Sequence, residues 1–92
     1  MLKFEYDDTK DAANKNKHGV PFAKAEQAFE DPYCILLEDD DHSAAEQRHF
    51  CFGRVDGEVM TVRFTMRGNT IRIFGAAYWR KGRKIYEKEN NL

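Results

Sequence analysis

Arg63, Arg67 and Arg72 are spaced so that one side of a hairpin would present all three, and side chains first converge on a chemistry there. A guanidinium offers a planar fork of N–H donors that grips two phosphate oxygens at once, and a strand holds it firmly enough to do so. His49, a few residues upstream, adds a group able to exchange a proton near neutral pH. Further on, Tyr78, Arg80, Lys81 and Arg83 combine an aromatic ring with cations, a pairing suited to unpaired bases on a charged backbone. Cleavage at a phosphodiester needs a base for a 2′-hydroxyl, cations for the charge that builds at phosphorus and an acid for the departing oxygen. His49, Arg63, Arg67 and Arg72 are therefore the candidate catalytic residues, with Tyr78, Arg80, Lys81 and Arg83 as candidate nucleic-acid contacts. The competing reading is that strand arginines only keep a sheet face solvated and unpaired.

The charge distribution supports a local rather than a global attraction. All seven arginines follow residue 47; residues 1–47 hold twelve carboxylates against five lysines, and residues 48–92 hold ten Lys and Arg against four carboxylates. The formal net charge of −1 conceals this dipolar split and argues against long-range steering onto nucleic acid. At 92 residues, with 41% hydrophobic and 13% aromatic content, the chain has enough apolar side chains for one small folded domain over residues 1–92. Cys34 and Cys51 have neither metal-site spacing nor the density of a disulfide scaffold, which points to a reducing cytoplasm. No signal-like segment is visible, nor any apolar run near the roughly 20 residues of a membrane span.

The elements that must position these groups follow from periodicity. Residues 2–6 alternate as a strand, Asp8 is the expected cap of a helix over 9–18, Asp11 favours its positive end, and Gly19 ends it. Pro21 opens a second helix over 21–30 whose apolar stripe is Phe22, Ala25, Ala28 and Phe29, closed by Asp31-Pro32. Strands are expected over 33–37, 47–54, 58–67 and 70–77, and a helix over 79–90 that Gly82 weakens. The acidic run Glu38 to Asp41 and His42-Ser43 lie in a loop.

Register decides which side chains share a face. A two-residue Gly68-Asn69 turn pairs Met66 with Ile71, Phe64 with Ile73, Thr65 with Arg72 and Arg63 with Phe74. At Asp56-Gly57 a three-residue loop with a bulge is preferred, because it gathers Phe50, Phe52, Met60 and Val62 on one apolar face. The opposite face then collects His49, Thr61, Arg63, Thr65, Arg67, Arg72 and Phe74.

Residues along nearly the whole chain resemble the BrnT toxins of bacterial type II toxin–antitoxin systems. The likeness runs through Phe4-Glu5-Tyr6-Asp7, Lys10, Asn14, Lys17-His18-Gly19-Val20, Phe22, Ala25 and Phe29-Glu30-Asp31-Pro32. It continues in Asp41-His42-Ser43, Glu46, Arg48, Thr65, Arg67, Ile71-Arg72-Ile73, Ala76, Arg83 and Tyr86-Glu87. The resemblance implies an α+β, RelE-like fold: an antiparallel sheet with two N-terminal helices packed on one face and a short C-terminal helix. It implies a ribonuclease that arrests growth by cutting RNA and blocking translation; with the arginine face and the cysteine usage, the expectation is a cytoplasmic endoribonuclease that binds single-stranded RNA and cleaves it without metal or cofactor. It also implies a BrnA-like antitoxin with a ribbon-helix-helix DNA-binding region, through which alone the toxin meets DNA. Where many members carry Ser-Ala-Arg, this chain reads Gly75-Ala76-Ala77, and Gly82 replaces a common Glu. The alternative is therefore a catalytically weakened module that binds antitoxin or RNA without cutting.

Three other groups have plainer readings. His18 before Gly19 reads as a cation at a helix end, and His42 as a loop residue. The Glu38–Asp41 run reads as a solvated loop, with Mg²⁺ binding as the rival.

Overall fold

A mixed sheet with a helical layer against each face organises residues 2–92, which the computed structural model describes. In chain order the elements are β1 (Lys3–Glu5), α1 (Asp8–His18), α2 (Phe22–Ala25), a 3-10 turn (Glu26–Glu30) and β2 (Ile35–Glu38). A second 3-10 turn (Asp40–His42) leads to β3 (Arg48–Val55), β4 (Glu58–Arg67), β5 (Thr70–Ala77) and α3 (Arg80–Glu89). The strands lie in the order β1-β5-β4-β3-β2. Only β1 breaks the antiparallel pattern, running parallel to β5 with Phe4 beside Ile71 and Glu5 beside Arg72.

Asp7 caps α1, its carboxylate accepting from the N–H groups of Thr9 and Lys10 at 2.8 and 3.0 Å. The expected cap, Asp8, is instead the first helical residue, where its charge still favours the positive helix end. Asn14 is buried on α1, and its amide donates to the carbonyls of Val20 and Ala76 at 2.8 and 2.9 Å, fastening the helix to β5. The second helix is α-helical for only one turn before tightening into the 3-10 segment, yet Phe22, Ala25 and Ala28 are fully buried as its stripe requires. These residues and Val20 cover Cys51, Met60, Val62, Phe64, Ile71 and Ile73 on one sheet face.

The other face is apolar too over part of its area. Phe52 and Val59 pack with Tyr86 of α3, flanked by Ile35, Phe50 and Ile85. This second core explains why the bulged register expected at Asp56-Gly57 is not formed. The turn has two residues, Asp56 at φ 55° and Gly57 at φ 84°, the primed geometry that matches strand twist. It pairs Val55 with Glu58, Phe52 with Thr61, Cys51 with Val62, Phe50 with Arg63 and His49 with Phe64. The preference for a bulge assumed that one face alone is covered; with α3 docked opposite, Phe52 is buried and Phe50 half-buried without it. The β4–β5 hairpin keeps the expected pairs Met66–Ile71, Thr65–Arg72 and Phe64–Ile73. Beyond these a bulge intervenes, so Arg63 faces Gly75 rather than Phe74.

Candidate nucleic-acid interface

Alternation along β4 places Arg63, Thr65 and Arg67 on one side, and Arg48 and Arg72, both paired with Thr65, join them from the neighbouring strands. The four arginines thus share the face that α3 partly covers. Phe74 lies between two of them: the guanidinium of Arg48 sits 4.5 Å and that of Arg63 5.3 Å from its ring centroid. Stacking of this kind orients a guanidinium and leaves its N–H edges free for an anion.

Their engagement differs. Arg72 is held by Glu5 at 2.6 Å, which ties β1 to β5, while Arg67 and Arg48 each approach Glu46 at 3.9 Å. Among the described residues Arg63, Arg80 and Lys81 make no ion pair; Arg83 bonds Glu87 at 3.3 Å on its own helix. Arg63, half-buried and without a carboxylate, is therefore the strand cation best prepared for an external anion.

Arg63 opens onto a groove of about 440 Å³ between the sheet and α3, whose walls include Phe50, Phe52, Thr61, Trp79, Lys81 and Ile85. Its far rim is the end of β2 and the following turn, with Glu38, Asp39 and His42. A second hollow of about 470 Å³, on the other side of Trp79, is lined by Arg54, Tyr78, Arg80 and Arg83 together with Glu58 and Glu87. Trp79 lines both, 39% exposed, with its ring against the edge of His18 at 5.6 Å. Tyr78 donates to the Val55 carbonyl at 3.3 Å, and burial raises its pKa above the ordinary phenol value.

The expected nucleic-acid contacts Tyr78, Arg80, Lys81 and Arg83 are thus distributed over two adjoining hollows. His49 is not with them. The register that pairs it with Phe64 turns it to the opposite face, where its ring stacks on Phe64 at 5.3 Å. The expected grouping of His49 with the arginines is corrected accordingly: the two-residue turn shifts β3 by one position, and one position reverses every side chain.

His42, read from sequence as a loop residue, stands at the groove instead. Its Nδ1 lies 2.9 and 3.1 Å from the two carboxylate oxygens of Asp39, which is 5% exposed. Ser43 fixes the turn by donating to the Asp39 carbonyl at 2.6 Å and accepting from the Arg48 N–H at 2.9 Å. The signal was the Asp-x-x-His spacing ahead of Ser43, which a 3-10 turn brings onto one side. Asp40 and Asp41 remain exposed, and among the described residues no three His, Cys, Asp or Glu groups are arranged to hold a metal ion.

These observations define a small α+β protein with an arginine-bearing sheet face and two adjoining hollows, each holding cations and carboxylates, beside a half-exposed tryptophan. The model of the BrnT family, described as the ribonuclease toxin, BrnT, of type II toxin–antitoxin systems, matches residues 6–82, and the chain belongs to that family. No curated protein matches the chain. Ala77, where the resemblance has an arginine, is 3% exposed and paired with Thr61, so cations at this site come from Arg63 and Lys81.

Proposed function

We propose that this chain is a metal-independent endoribonuclease of RelE-like arrangement that cuts single-stranded RNA in the cytoplasm and thereby inhibits translation. In this reading a BrnA-like antitoxin with a ribbon-helix-helix region neutralises it and supplies the only link to DNA. Membership of a ribonuclease toxin family supports the activity class. The observation that carries the site is Arg63, stacked on Phe74 at the mouth of the groove and in no ion pair among the described residues.

Arg63 and Lys81 hold the scissile phosphate, and Arg67 and Arg72 add positive potential from beside it. Tyr78, Arg80 and Arg83 take flanking nucleotides in the adjoining hollow, with Trp79 as the dividing wall. His49 has no place in this site. Purified protein incubated with end-labelled RNA, with and without a chelator, tests the reading: cutting that survives chelation is expected. Cutting abolished by chelation would replace the mechanism with a metal-dependent one. Expression without the antitoxin should arrest growth, and Arg63→Ala should relieve the arrest while leaving a folded protein.

Buried Ala77 favours one second reading, a binding module that keeps its antitoxin and RNA contacts but has lost cleavage. Tight RNA binding without cutting under either condition would select it.

A further inference from the structure

The groove carries one feature to which the arginine site assigns no role. Asp39 is almost wholly buried, yet both its oxygens point at Nδ1 of His42, whose side chain is 59% exposed. A carboxylate accepts, so Nδ1 donates to it, and in the neutral ring that arrangement leaves the lone pair on Nε2. The ring is thus fixed in tautomer and orientation by a partner that the Ser43 network immobilises. Across the groove stand Arg63 from β4 and Lys81 from α3.

Resting on the ribonuclease reading, we propose that His42 is the general base of the cleavage and Asp39 its positioning residue. Nε2 takes the proton of the 2′-hydroxyl, and the 2′-oxygen attacks phosphorus as the P–O5′ bond breaks. Water protonates the departing 5′-oxygen, and the imidazolium returns its proton to the hydroxide so formed. The products are a 2′,3′-cyclic phosphate and a 5′-hydroxyl end, with no net proton consumed. Arg63 and Lys81 balance the charge that grows on the non-bridging oxygens. The charged groups that line the groove with His42 are Glu38 and Asp39 on its own segment, Arg63 on β4 and Lys81 on α3.

The test compares the wild type with His42→Asn, which keeps a donor toward Asp39 but has no basic nitrogen. Cleavage should fall by roughly 100-fold or more, the usual contribution of a positioned acid or base. Affinity for a uniformly 2′-O-methyl RNA, which cannot be cut, should change less than about twofold, since a base contributes to the transition state and not to uniform binding. Asp39→Asn should lower kcat more than it raises KM, as expected of a residue that only positions the base. Full cleavage by His42→Asn would overturn the assignment and leave the ribonuclease reading standing. Products ending in a 3′-hydroxyl would also overturn it, because the 2′-oxygen would not be the nucleophile. A wild type that cuts no RNA under any condition would overturn both. Circular dichroism of the variants separates lost chemistry from lost folding.

Discussion

At the scale of single residues, the arginines of the sheet face divide by what already holds them. Arg72 is engaged by Glu5 at 2.6 Å, whereas Arg63 makes no ion pair among the described residues and stacks on the Phe74 ring. Arg63→Ala should therefore weaken binding to uncleavable RNA by roughly tenfold to a hundredfold, the loss of one hydrogen bond to a charged group. Arg72→Ala should affect RNA less and stability more, because β1 loses its tether; fluorescence anisotropy and urea unfolding report the two effects separately. Asp31 shows the same division in a purely structural role. Burial pushes its carboxyl up, but the N–H groups of Arg54 and Tyr33 and the Tyr86 hydroxyl outweigh that and hold it below the ordinary value. Its folded pKa is lower than its unfolded one, so the stability it lends is present above the unfolded value, about 3.9, and disappears as pH falls through the folded value. The urea midpoint should accordingly drop below about pH 4, and Asp31→Asn should flatten that drop. On Tyr86 the sign is opposite: burial, then Asp31, pushes the phenol up to about 12, and stability should decline as pH rises from the ordinary phenol range toward that value.

At the scale of elements, α3 decides both the register and the site. Gly82 lets it approach, since a Cβ there would overlap the Thr61 hydroxyl and crowd the Phe52 ring. Gly82→Ala would gain about 1 kcal/mol of helix propensity but force overpacking that costs about 1–3 kcal/mol, so net destabilisation is expected in thermal unfolding. The Thr61 hydroxyl is buried with no hydrogen-bond partner among the described residues. Thr61→Ala should therefore recover part of the loss in the double variant, and additive effects would count against the contact. How much of the fold was legible follows from the same helix. Gly19, the Phe22–Ala28 stripe and the Gly68-Asn69 pairs as far as Phe64–Ile73 are local signals, and each is present; the fourth expected pair, Arg63 with Phe74, is displaced by the bulge. The Asp56-Gly57 register depended on whether the second sheet face is covered, which is a tertiary fact that no local pattern states. That one slip moved His49 away from the arginines, while the common face of Arg63, Arg67 and Arg72 survived because β4 and β5 fix it alone. His42 was passed over because its partner is a buried carboxylate, and an acidic run reads as solvated until burial is known.

At the scale of the whole molecule, the chain's opposing charges meet at the groove: Glu38 and Asp39 form one rim, and Arg63 and Lys81 stand on the other side. With a net charge of −1, no long-range field draws RNA in, so affinity must come from the few cations that touch phosphate. For about three such contacts on a single strand, the logarithm of the binding constant should fall with the logarithm of salt at a slope near −2, since each contact contributes about −0.7. A slope steeper than about −4 would require a larger basic footprint than the two hollows supply. Asp40 and Asp41 are exposed on the turn that carries His42, next in sequence to the groove residue Asp39. Exposed charges are screened over about 8 Å at physiological ionic strength, so their repulsion should be felt mainly in dilute salt. Replacing both by asparagine should tighten RNA binding at low ionic strength, and the gain should shrink as salt is raised. A gain that persisted at high salt would mean that the two aspartates act by shaping the turn rather than by their charge.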